Sequence, residues 1–167
     1  YSTDARWLVP HFEKMLYDNA LLAGCYLEAW QATGQPSYAQ VVRETLDYLL
    51  RDLACPQGVF AGSEDADSEG GEGAFYLWTP EEIRQVLGPE AARRFCYAYD
   101  VTEAGNFAGR NILNRPKPIA QCARILGGDA AQWEIELAES RRRLLEVRAR
   151  RPRPARDDKI LAGWNGW

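Results

Sequence analysis

The sequence is poor in the residues that carry most metal and redox chemistry. One histidine, His11, stands among 167 residues, so no multi-histidine metal centre is available. The four cysteines, Cys25, Cys55, Cys96 and Cys122, lie far apart, and none forms the C-x-x-C pair of zinc knuckles and dithiol redox motifs. They read as buried free thiols of a reducing compartment, in a chain too long to depend on disulfides. No apolar run approaches the roughly 18 residues of a membrane span, and no signal peptide is visible. Positive charge is not in excess either. The chain has 20 Lys and Arg against 24 Asp and Glu, a net charge of −4, which argues against a chain-wide surface for polyanions. These absences predict a cytoplasmic protein with no membrane and no nucleic-acid partner, and they signal no metal and no cofactor.

What is present fits a globular fold. Hydrophobic residues make up 46% and charged residues 26%, ordinary values for a soluble domain. A chain of this length buries roughly 70% of its unfolded surface. Six Trp and eight Tyr supply large apolar faces with polar tips, suited to a deep core or to a cleft that stacks flat ligands.

Apolar periodicity predicts a helix from Pro10 to about Thr33, through Phe12, Met15, Leu16, Leu22, Tyr26 and Trp30. Gly34 and Pro36 end it, and a second helix follows over 37–54, striped by Val41, Val42, Leu46, Leu49, Leu50 and Leu53. The pair reads as an α-hairpin. Two β-prone runs, Val59-Phe60 and Phe75-Tyr76-Leu77-Trp78, flank an acidic, Gly-rich stretch and predict a β-hairpin with a long polar loop. Thr79-Pro80-Glu81-Glu82 is a capping box that starts the next helix, which Gly88-Pro89 ends. Further helices are expected over 90–97, 116–126 and 130–150, with an irregular segment at 100–114 and a new element opening after Asp157. The expected fold class is all-α, helical hairpins with one small β-hairpin, and no internal repeat of about 20–50 residues is evident. Tyr1-Ser2-Thr3-Asp4 lacks an initiator Met, and Trp164-Asn165-Gly166-Trp167 reads as the entry to a further element. Residues 1–167 are therefore expected to be part of one domain of a longer chain.

Four segments offer chemistry. In Arg6-Trp7-Leu8-Val9-Pro10-His11-Phe12-Glu13-Lys14-Met15-Leu16-Tyr17-Asp18-Asn19, helical spacing places His11, Lys14 and Asp18 on one face and Glu13 and Tyr17 on a neighbouring one. That surrounds the one histidine with an acid, a base and a phenol, a setting for general acid/base work. The plainer alternative is a capped helix start with a Lys14–Asp18 surface pair. The second segment holds Glu64, Asp65, Asp67, Glu69 and Gly70. It begins like an EF-hand loop, but Tyr76 stands where the bidentate glutamate belongs. Paired carboxylates here suit glycoside chemistry; a solvated acidic turn is the alternative. The third, Asp157-Asp158-Lys159 leading to Trp164-Asn165-Gly166, offers an aromatic platform with hydroxyl-binding acids and amide, or else a helix cap with a core Trp. The fourth is rich in arginine from Arg141 to Arg156; with Glu134, Glu136, Glu139 and Glu146 on the same helix, it reads as a solvated, ion-paired face.

Three of these segments, in order, resemble the YyaL-like, spermatogenesis-associated thioredoxin-domain protein family: residues 1–19, the run from Ser63-Glu64-Asp65-Ala66-Asp67-Ser68-Glu69-Gly70 on to Thr79, and Asp157-Asp158-Lys159 to Gly166. The resemblance implies an (α/α)6 six-hairpin barrel related to glycosidases and N-acylglucosamine 2-epimerases, of which this chain would form part, with the family's N-terminal thioredoxin-like domain lying outside it. It implies a carbohydrate-active or sugar-binding domain, a hydrolase or an epimerase. The candidate catalytic residues are then His11 as general acid/base with Glu13, Asp65 and Asp67. The candidate ligand-binding residues are Arg6, Trp7, Tyr17, Asp18, Glu64, Trp78, Asp158, Lys159, Trp164 and Asn165, with Trp78 or Trp164 as stacking floor. The alternative is a non-catalytic scaffold or partner-binding domain attached to a thioredoxin-like module. The expected ligand is a small-molecule sugar, and apolar helix faces left open in a partial barrel predict a homo-oligomer or marginal stability.

Overall fold

Proline and glycine set most of the helix boundaries. In the computed structural model, which describes residues 1–167, the chain order is β1 (Lys14–Met15), α1 (Leu16–Thr33), α2 (Pro36–Tyr48), a π-turn (Leu49–Leu53), β2 (Ser63–Glu64), β3 (Asp67–Ser68), β4 (Gly71–Glu72), α3 (Pro80–Leu87), α4 (Pro89–Ala98), α5 (Ile119–Leu126), α6 (Ala130–Arg148), β5 (Arg156–Asp157) and α7 (Ala162–Asn165). Gly34 closes α1 in the left-handed region at φ 68°, where a side chain would be strained. Pro36, Pro80 and Pro89 each open a helix, where a missing N–H costs nothing. The fold is mostly α, with short antiparallel strand pairs. No helix is long and apolar enough to cross a membrane.

The chain divides into two compact units. The first comprises residues 1–10 and 73–153. Its core is built from α3, α4, α5 and α6 around Trp78, Ile83, Phe95, Trp133, Leu137 and Leu144. Phe95 and Tyr99 stack with centroids 4.2 Å apart. The expected capping box forms: the Thr79 hydroxyl accepts from the Glu82 N–H, and the Glu82 carboxylate accepts from the Thr79 N–H at 2.7 Å. Glu82 also receives Arg110 at 2.7 Å and Arg151 at 3.4 Å. The Arg151 guanidinium lies 4.0 Å from the Trp78 ring centroid and donates to the Leu77 and Phe75 carbonyls. Residues 1–10 form a tight loop around Asp4, with Trp7 at φ 59°, a conformation that costs a non-glycine residue about 1–3 kcal/mol.

The second unit comprises residues 11–72 and 154–167. Helices α1 and α2 form the expected hairpin. The π-turn directs Leu49 and Leu53 into a small core with Leu16 and Ala61, flanked by Tyr48, Phe60 and Trp164. Strands β1, β2 and β5 make an antiparallel sheet in that order, and β3 pairs with β4.

Four expectations change. The first helix begins at Leu16, not Pro10, because Lys14 and Met15 pair with β2 and the Leu16 N–H donates to the Gly62 carbonyl at 2.9 Å. His11, Lys14 and Asp18 therefore do not share a helix face. The second helix ends at Tyr48 and runs on as the π-turn to Leu53. The β-hairpin lies inside the acidic stretch, Asp67 and Ser68 facing Glu72 and Gly71; of Phe75–Trp78 only Trp78 bridges, to Asn111. Finally, the arginine-rich segment is only partly a solvated face. Arg142 pairs with Glu139 and Glu146 as expected. Arg143, however, donates to the Val86 and Leu87 carbonyls, and Arg148 sits 5.2 Å from the Phe75 and Tyr76 ring centroids.

Candidate functional site

Three polar segments far apart in sequence meet in the second unit. They do so through backbone pairing. The central strand β2 aligns Glu64 with Lys14 on one side and Arg156 on the other, and Ser63 with Met15 and Asp157. Two more bonds extend the sheet: the Gly62 N–H donates to the Asp157 carbonyl at 3.0 Å, and the Asp65 N–H to the Ala155 carbonyl at 2.8 Å.

Glu64 is the centre of this arrangement. It is 5% exposed and accepts a hydrogen bond from the Tyr48 hydroxyl at 3.1 Å. Register places a cationic residue on each flanking strand beside this acid, the cross-strand pairing that stabilises a sheet. Just before β1, His11 Nε2 lies 3.4 Å from Glu13 Oε2, both side chains about one-third exposed. Glu13 is thus placed to orient the imidazole. Lys14 Nζ donates to the Phe12 carbonyl at 2.7 Å. From α1, Tyr17 meets Trp164 of α7 edge to face, ring centroids 4.9 Å apart. Asn165 anchors α7 by accepting from the Phe60 N–H at 2.8 Å and donating to its carbonyl at 3.1 Å. Asp18 is half-buried.

The remaining acids serve their own turns. Asp65 and Asp67 are exposed, and Asp65 accepts the Asp67 N–H at 3.1 Å. Asp157 accepts from the side chain and backbone of Lys159, which together hold its carboxyl below the usual aspartate range. Asp158 accepts from Arg156 at 2.6 Å. Arg6, Trp7 and Trp78 belong to the other unit. Trp78 is 2% exposed, with Arg151 on its ring face, whereas Trp7 is 83% exposed. No group of three or more His, Cys, Asp or Glu gathers as a metal site.

The sequence did not point to Tyr48 or Gly62. Tyr48 carried no signal beyond its place in a helical run. Gly62 is a buried glycine: an added Cβ would meet the Lys159 carbonyl at 3.3 Å and Trp164 Cζ3 at 3.5 Å. Gly62→Ala is expected to destabilise the chain by about 1 kcal/mol through overpacking, measured by urea unfolding at constant m-value.

Comparison with known proteins covers the chain nearly end to end. It is 38% identical to spermatogenesis-associated protein 20 of Homo sapiens over 192 residues, 99% of this chain and 24% of that protein. The chain is similar to spermatogenesis-associated protein 20. The Mus musculus form is 35% identical with the same coverage, and an uncharacterized Caenorhabditis elegans protein is 30% identical over 99% of this chain and 26% of its own length. The chain thus spans about a quarter of the length of the curated relatives it matches. No family model matches it. The likeness to spermatogenesis-associated protein 20 runs through all three segments that pair in the sheet, in agreement with the resemblance those segments carry.

Proposed function

We propose that the sheet formed by β1, β2 and β5 seats a small polyhydroxylated ligand, a sugar, in a barrel of the (α/α)6 kind, with His11 and Glu13 as a general acid/base pair. The observation that carries this reading is the His11–Glu13 pair at 3.4 Å, next to a strand whose register partner is the buried acid Glu64. An imidazole oriented by a carboxylate can take a proton from one reacting group and return it to another. The Tyr48 hydroxyl gives its one proton to Glu64 and offers its oxygen as an acceptor for a sugar hydroxyl, beside the second carboxylate oxygen of Glu64. The Tyr17–Trp164 pair offers an apolar ring face, and Asp65 and Asp67, exposed on the segment that leaves β2, supply the second acid that glycoside chemistry needs. The test is a panel of neutral, acidic and amino sugars scored by melting temperature. A ligand at about 100 times its Kd adds about 2.7 kcal/mol of stability. At least one sugar is expected to raise the melting temperature, and Glu64→Gln to abolish that rise. No shift with any sugar overturns the reading.

A second reading has one observation in its favour. Asp65, Asp157 and Asp158 each tie down a neighbour within the chain. If the segments act only as ties, the domain is a scaffold for a partner module. Asp157→Asn would then lower the melting temperature, and no sugar would change it.

A further inference from the structure

Helix α7 has four residues, none of them buried, and no side-chain cap at its start. A single helical turn does not hold itself, because its nucleus fixes several dihedrals for one bond. A tie from outside the helix sets it in place, and the Asn165 amide supplies one. Its Oδ1 accepts the Phe60 N–H at 2.8 Å, and its Nδ2 donates to the Phe60 carbonyl at 3.1 Å and to the Leu161 carbonyl at 3.2 Å. The side chain thus pairs with the backbone of Phe60 as a strand residue would. Both amide protons are engaged in this way, and Asn165 has none left for a ligand hydroxyl.

Trp164, the residue before it, takes its position from this tie. The indole lies over Gly62, where an added Cβ would meet Cζ3 at 3.5 Å. Gly62 leads directly into β2 and so to Glu64. Tyr17 meets the same indole edge to face, with ring centroids 4.9 Å apart. The ring packs on the small core of Leu16, Leu49, Leu53 and Ala61, yet stays half-buried. Its chain neighbour on the other side gives no support: an added Cβ at Gly163 would meet nothing within 4 Å, and Ala162 is exposed.

Resting on the sugar reading above, we propose that Asn165 is a positioning residue: its amide, locked to the Phe60 backbone, holds Trp164 as the floor on which the C–H face of a pyranose stacks. Asn165 then shapes the ligand seat without touching the ligand, in contrast to the expectation that its amide binds hydroxyls. Only an amide at this distance satisfies the tie. Aspartate could still accept the Phe60 N–H, but it would set a carboxylate against the Phe60 and Leu161 carbonyls where Nδ2 now donates. Glutamine carries the same group one methylene further out. Loss of the tie frees the indole from Gly62 and leaves His11, Glu13 and Glu64 where β1, β2 and the segment before them put them.

A double-mutant cycle on the full chain, titrated with glucose, glucosamine and glucuronate, tests this. For a sugar that binds the wild type, Trp164→Ala and Asn165→Ala are each expected to weaken affinity about tenfold, the loss of one aromatic contact. The double variant should bind no more weakly than either single one, because Asn165 acts only through Trp164. A merely structural role would add its effect whichever residue stood at 164. Asn165→Asp should fall as far as alanine. Folding is followed separately by NMR through the Leu16 and Asp65 amides, which donate to the Gly62 and Ala155 carbonyls. Those signals should hold in Asn165→Ala while the Trp164 indole N–H moves. Equal affinity of wild type and Asn165→Ala, or a loss that repeats in full on top of Trp164→Ala, overturns the positioning role and leaves the sugar reading standing. Sheet amides that move with the indole also overturn it, because the amide would then hold the sheet rather than the ring. If none of the three sugars binds the wild type, the sugar reading falls and this assignment falls with it.

Discussion

Asn111→Ala is expected to destabilise the first unit by about 3 kcal/mol, from lost buried hydrogen bonds and the cavity left behind. Asn111 is fully buried, yet every polar atom of it is satisfied. Its Oδ1 accepts from the Thr102 N–H at 3.0 Å, and its Nδ2 donates to the Thr102 carbonyl at 3.0 Å and the Trp78 carbonyl at 3.2 Å. Its backbone exchanges bonds with Trp78 at 2.8 and 3.0 Å. One side chain thus fastens the irregular segment after α4 to the base of α3. Alanine deletes all three side-chain bonds and leaves a void beside Trp78. Asn111→Asp keeps the shape but turns an oxygen towards two carbonyls, and should be no more stable than alanine at neutral pH. Urea unfolding that moves the midpoint at constant slope is the check. A cost under about 0.5 kcal/mol, the size of an ordinary surface substitution, would contradict this assignment.

Glu82→Ala should cost about 2–3 kcal/mol, because it removes a helix cap and leaves a half-buried arginine without its acid. Burial acts to raise the Glu82 pKa, but the Thr79 N–H, the Arg110 hydrogen bond and the charges of Arg110 and Arg151 outweigh it, and the net shift is downward from 4.5. The sign of the pH dependence follows. A carboxyl more acidic folded than unfolded contributes stability above its unfolded pKa, and that contribution is lost as pH falls through the folded value. Glu82→Gln should therefore be less stable than wild type at neutral pH, and the gap should narrow in acid below pH 4.5. Asp4, Glu136, Glu139 and Asp157 are also lowered. The variant should thus remove part of the acid sensitivity rather than all of it.

Local signals were legible where the chain satisfies itself locally. Thr79 and Glu82 are three residues apart, so their capping box and the helix behind it could be read directly. The boundaries of α4 and α6 fell close to expectation for the same reason, with Pro89 and Asp129 at their starts. The segment before α1 was not legible. Phe12, Met15 and Leu16 have helical spacing, but the partners that extend Lys14 and Met15 lie near residue 63. A period read in one window carries no information about a strand that arrives from elsewhere. The same holds for Arg148 and Arg151, which looked like a solvated run and instead pack on Phe75, Tyr76 and Trp78. The strand pairing that sets Glu64 between Lys14 and Arg156, and the bond Tyr48 makes to it from the end of α2, lay outside any local window for the same reason.

The central claim is that these segments build one ligand seat around the single imidazole of the chain. Proton NMR reads it most directly, because His11 gives the one imidazole signal in the spectrum. On titration with a sugar that raises the melting temperature, the His11 ring proton and the Trp164 indole N–H should shift with the same midpoint. The Trp133 indole N–H, which donates to the Gly127 carbonyl at 3.0 Å in the other core, should stay where it is. Sugar that moves Trp133 but leaves His11 and Trp164 in place would contradict the account.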